Sequence, residues 1–141
     1  LAWLSRSLDM PVLTSEQYPR GLGSTLPALE VRDAIAKTHF SALGEPAFVE
    51  ALKTTERRQI ILVGMETHIC VAQTCRDLLS SGYEVWTIAD CCLSRRELDW
   101  TWGCHRMAED GARVVTAEAA LFELLGVAEG PLFKELSRRI R

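Results

Sequence analysis

Apolar positions along the chain follow two periods in turn. Gln59–Gly64 (QIILVG) is a short apolar run on both faces, the pattern of a strand buried in a parallel sheet. Glu84–Asp90 (EVWTIAD), Pro11–Glu16 (PVLTSE), Ala34–Lys37 (AIAK) and Ala112–Val115 (ARVV) read as further strands. Between them the spacing becomes helical. Pro46–Thr55 predicts a helix with proline in its first turn, and Thr67–Ser81 a second, closed by Gly82. Glu97–Asp110, Ala117–Leu125 and Pro131–Ile140 predict three more. Gln17–Pro27, with two prolines and two glycines, reads as a loop. Leu1, Leu4 and Leu8 already keep helical spacing, so the sequence is expected to open inside a helix, with an upstream segment outside these residues.

Alternation of strand and helix with short connections predicts an α/β, three-layer, doubly wound parallel sheet. The length of 141 residues fits one domain covering residues 1–141. A hydrophobic share of 48% and a charged share of 25% suit a folded globular chain. The formal net charge of −3 argues against a nucleic-acid partner, since the only basic cluster is the short tail Ser137–Arg141. No run approaches the roughly 18 apolar residues that span a bilayer, so no membrane partner is expected. Five cysteines, two of them adjacent, do not suggest a disulfide framework, and a cytoplasmic location is expected.

Candidate chemistry gathers in Gly64–Leu79 (GMETHICVAQTCRDLL), just past the QIILV strand. Functional groups of open α/β sheets collect at the carboxyl ends of strands. With Thr67 as N-cap, Cys70 would occupy the third helical position, where free amides and the helix dipole favour a thiolate. Free cysteines are also among the most buried residues, so position alone leaves nucleophile and packing residue both open. Cys70 and Arg76 match a C-x₅-R phosphatase pattern, but the five residues between them hold no glycine and continue as helix, which makes a phosphate-wrapping loop a poor account. Metal sets drawn from His68, Cys70 and Cys75, or from Cys91, Cys92, Cys104 and His105, lack zinc-ligand spacing. No metal or cofactor is expected. Lys37, ending a strand, is either a partner for a thiolate or a surface lysine; His39 and His68 are alternative bases or bystanders.

The segments EQYPRGLGSTLPAL, AKTHFSAL, ILVGMETHICVAQTCRDLLSSGYEVWTIADCCLSR and AALFELLG resemble the isochorismatase-like cysteine hydrolases, in order, from Pro11 onward. The resemblance implies a Rossmann-like parallel sheet of about six strands with helices on both faces. It also implies an Asp–Lys–Cys triad whose lysine falls on Lys37 and nucleophile on Cys70. A cis peptide is implied at Met65–Glu66, with the amides of Glu66 and Cys70 as oxyanion hole. The triad aspartate would end a first, central strand upstream of Leu1, which these residues do not contain. The region around Gln17 lacks the histidines of nicotinamidases, and isochorismatases proper lack the cysteine.

The expected function is therefore metal-independent hydrolysis of a small amide or related acyl substrate through a thioester. Gln17, Tyr18 and Phe40 are candidate pocket walls. A homo-oligomer is implied, and Trp100 and Trp102 suit either an interface or a cover for the core. Two other classes stay open: a catalytically silent scaffold of the same fold, and a thiol redox protein pairing Cys70 with Cys75 or Cys92.

Overall fold

The computed structural model describes residues 1–29 and 33–140. Seven α-helices are described: α1 (Ala2–Ser7), α2 (Pro19–Leu22), α3 (Pro46–Thr54), α4 (Ala72–Ser80), α5 (Glu97–Glu109), α6 (Ala117–Leu125) and α7 (Gly130–Arg139). The strands are β1 (Ser15–Gln17), β2 (Ile35–Lys37), β3 (Gln59–Met65), β4 (Glu84–Leu93) and β5 (Arg113–Val115). All pair in parallel, in two ladders: β1 with β2, and β3–β4–β5 with β4 in the middle. The expected α/β architecture is present, although the described strands form two ladders, not one continuous sheet.

The helices gather in two clusters, and α6 links the second of them to β4 of the three-stranded ladder. In the first, α3, α4 with the Thr67–Val71 turn before it, and α5 bury Leu52, Val71, Cys75, Leu78 and Met107 against Val85 and Cys92 of β4. A second cluster joins α1, α6 and α7 through Leu4, Leu121 and Leu136, with Trp3 and Leu132 packed against it. Burial of such a leucine contributes about 2 kcal/mol, so the amphipathic stripes hold both clusters.

Three strand expectations and one loop expectation change. The run Pro11–Glu16 makes a ladder only at Ser15–Gln17, because its partner β2 supplies three residues, registering Ser15 with Ile35 and Gln17 with Lys37. No β3 residue is fully buried, and Val63 and Met65 are exposed, since among the described residues β3 pairs only with β4. β4 runs past Asp90 to Leu93. It does so through a register shift: Leu62 pairs with Thr87, whereas Gly64 pairs with Cys92. Gly64 has φ of +137°, which a side chain would disfavour, so glycine permits the shift that re-aims the strand end. The short α2 also breaks the expected Gln17–Pro27 loop.

Candidate active site

The ends of β1, β2 and β3 bring Gln17, Lys37 and Cys70 together. Paired register places Gln17 beside Lys37 at the carboxyl end of the first ladder. The Lys37 side chain turns inward and is only 5% exposed. Its ammonium donates to Gln17 Oε1 at 2.5 Å, to the His39 carbonyl at 2.9 Å and to the Phe40 carbonyl at 2.8 Å. All three acceptors are neutral. Burial lowers the Lys37 pKa below the ordinary lysine value, and the neighbouring Cys70 side chain works in the opposite direction. Gln17 is held by its own amide, which donates from Nε2 to the Thr38 carbonyl at 2.9 Å. The same Oε1 that accepts from Lys37 lies 3.8 Å from Cys70 Sγ, as a weak acceptor of the thiol.

Cys70 rides on a π-helical turn, Thr67–Val71, that runs into α4. The N-cap is Glu66 and not Thr67, so Cys70 is the fourth helical residue. The reason lies in the Thr67 hydroxyl, which is fully buried and donates to the Leu93 carbonyl at 2.8 Å instead of capping its own helix. The Glu66 carbonyl accepts from the amides of Ile69 (3.1 Å) and Val71 (3.2 Å), which flank Cys70. A π-turn of this kind widens the first turn and is frequent at functional sites. The Met65–Glu66 peptide bond is cis.

The other expected residues separate. Phe40 and Tyr18 are both exposed; Phe40 touches Lys37 through its carbonyl, and the Tyr18 amide donates to the Lys37 carbonyl at 2.8 Å. Cys75 and Cys92 are buried in the α3–α5 core, and burial pushes their thiols up to about 11 and about 12. Cys104 is buried with them while His105 faces outward against Trp102, so the two metal sets have no common centre. Arg76 is exposed beside Asp77. Trp100 packs on the core, and its indole donates to the Ala89 carbonyl at 3.0 Å. Trp102 is 64% exposed.

Sequence reasoning missed the polar shell on the far side of the turn. Glu66 accepts from the Arg95 amide at 3.0 Å and pairs with Arg95 Nε at 3.2 Å. His68 Nδ1 lies 3.1 Å from Ser94 Oγ. Gly103, in the interior of α5, is the signal that could have found it. A glycine there weakens the helix unless another backbone must come close.

An isochorismatase domain model matches residues 2–119. The chain belongs to the isochorismatase family. Isochorismatase domain-containing protein 2 of Xenopus laevis is 41% identical over 138 residues, covering 96% of this chain and 67% of that protein. Isochorismatase domain-containing protein 1 of Salmo salar is 39% identical over 140 residues, covering 97% of this chain and 50% of the relative. The chain thus spans about two thirds of the first relative and half of the second. Among solved structures, a MAR1 ribonuclease from Caenorhabditis elegans superposes with a TM-score of 0.84 at 37% identity, covering 95% of this chain and 71% of that one. Membership places the chain among the isochorismatase-like hydrolases.

Proposed function

We propose that this isochorismatase-family chain carries the nucleophile of a metal-independent cysteine hydrolase for small amides or related acyl compounds. The observation that carries the reading is the buried Lys37 ammonium, bridged through Gln17 Oε1 to Cys70 Sγ at the start of a helix. A buried cation with neutral acceptors favours a nearby anion, and the thiolate is the attacking form. Cys70 Sγ bonds to the carbonyl carbon, and the developing oxyanion is received by the amides of Glu66 and Cys70. The C–N bond then breaks, the amine departs with the thiol proton, and a thioester remains. Water attacks it, releases the acid and returns a proton to sulfur.

The proton carrier is assigned to the triad aspartate that the family resemblance implies. In support, the Lys37 acceptors among the described residues are uncharged. Burial of Cys75 and Cys92 counts against the redox reading, because a resolving thiol must be reached and ionised. Ribonuclease activity, named for the C. elegans neighbour, fits less well. A net charge of −3 and one buried cation offer a phosphate backbone little to hold. Exposed Leu98 and Trp102 on α5 support a homo-oligomer.

The test is a limiting dose of iodoacetamide followed by peptide mass spectrometry. Cys70 is expected to label first and faster than a small free thiol, and Lys37→Ala to slow it about tenfold or more. Equal, slow labelling of every cysteine sinks the proposal.

A further inference from the structure

The turn that carries Cys70 is held from its far side by residues of the β4–α5 connection. Three elements converge on His68. From its own turn, Glu66 Oε2 lies 3.9 Å from Nδ1; from the connection, Ser94 Oγ lies 3.1 Å from the same nitrogen; from α5, Asp99 Oδ2 lies 3.9 Å from Nε2. The Ser94 contact is a hydrogen bond, whereas both carboxylates stand at ion-pair range. Arg95 is the only other charged group in this cluster among the described contacts, and it is spent on Glu66, through its amide at 3.0 Å and its Nε at 3.2 Å. Behind the ring, Gly103 brings α5 against the main chain: a Cβ built there would sit 3.0 Å from both the N and Cα of His68.

This shell touches the backbone that the proposed chemistry uses. The Glu66 carbonyl accepts from the amides of Ile69 and Val71, the residues on either side of Cys70, so a shift of Glu66 or His68 moves the backbone that carries Cys70. We infer that His68 is a positioning residue, which pins the Thr67–Val71 turn to the β4–α5 connection and thereby sets the aim of the Cys70 sulfur and of the oxyanion amides. The inference rests on the cysteine-hydrolase reading above. His68 does not touch the reacting atoms. It acts through the turn, because its ring lies between Glu66 of that turn and Asp99 of α5 and is hydrogen-bonded to Ser94.

The readout is the second-order rate of Cys70 alkylation by iodoacetamide, with melting curves to establish that each variant folds. His68→Leu, which keeps bulk and removes both ring nitrogens, is expected to slow labelling between about tenfold and about a hundredfold, the range of a misplacement near 1 Å. His68→Asn retains a polar group opposite Ser94 and is expected to recover most of that loss, which a bulk-filling role would not predict. Asp99→Asn should slow labelling about threefold, the rate equivalent of an exposed ion pair. Combined with His68→Leu it should add nothing further, since both substitutions break one link. Labelling of folded His68→Leu at the wild-type rate, or full multiplication of the two effects, overturns the inference. Should His68→Leu not fold, Asp99→Asn at the wild-type rate does the same. A wild-type Cys70 no faster than a free thiol overturns the hydrolase reading and the positioning role with it. A fast wild type unaltered by the His68 substitutions overturns the positioning role alone.

Discussion

Replacing Gly103 by alanine sets two effects of similar size against each other. Gly103 lies in the middle of α5 with helical dihedrals, so alanine gains helix propensity of about 1 kcal/mol. The new methyl meets His68 N and Cα at 3.0 Å and Thr67 Cγ2 at 3.1 Å, where carbon pairs prefer about 3.5–4 Å. Two of those atoms are main chain, and Thr67 is itself fixed by its bond to the Leu93 carbonyl, so neither neighbour swings aside cheaply. Overpacking of this kind costs about 1–3 kcal/mol, which leaves a net loss of about 1 kcal/mol. An unfolding entropy of about 2.1 cal/mol/K per residue converts that loss to a Tm drop of about 3 °C for a chain this long. A thermal scan followed by circular dichroism measures it, with urea unfolding at 25 °C as a second measure. Because the strain falls on the Cys70 turn, alkylation of Cys70 should slow in the same variant. A Tm raised by about 3 °C with unchanged labelling would show that propensity wins and that α5 does not press on the turn.

Thr67→Val keeps the shape of a fully buried residue but strips the Leu93 carbonyl of its 2.8 Å donor. Urea unfolding should show a loss of about 1–3 kcal/mol. Alkaline pH should destabilise the fold through its buried thiols. Unfolded, Cys75 and Cys92 lose their protons near the ordinary cysteine value of 9.0; folded, they hold them to about 11 and about 12. The unfolded state therefore binds fewer protons above pH 9, and stability falls by about 1 kcal/mol per pH unit for each thiol up to those values. Lys37, whose folded pKa is lowered, acts with the opposite sign as pH rises towards 10.5. Cys75→Ala should flatten the decline between pH 9 and 11 in denaturant titrations, and an unchanged slope would refute this account.

Periodicity revealed the helices well where an amphipathic stripe and a start signal coincide: Pro46 opens α3, and Ala117–Leu125 keeps the expected bounds. It failed where a side chain serves a distant partner. Asp90 reads as the end of a strand, yet its Oδ1 accepts the Ala117 amide at 2.7 Å and β4 continues beyond it. Thr67 reads as a cap, yet its hydroxyl leaves for Leu93. The approach of Lys37 to Cys70 was legible from both residues following strand ends, although β2 and β3 lie in separate ladders. The role of Gln17 as the bridge was not, since only the register of Gln17 on Lys37 fixes it. The Glu66–His68–Ser94–Asp99 group left no periodic trace, as its members come from segments joined only by the fold.

The second helical cluster has a further consequence for how this chain assembles. Leu4 of α1 shares one cluster with Leu121 of α6 and Leu136 of α7, and Arg139 stacks its guanidinium 4.8 Å above the Trp3 ring. The first cluster and its ladder are stitched from consecutive elements, α3 to β5, whose partners are near neighbours in sequence. The two clusters thus differ in contact order: the first closes short loops, while the second must bring α1 and α7 together across almost the whole chain. Unravelling α1 and unravelling α7 are then one lesion, each opening the same cluster on α6 and each undone only when both helices return.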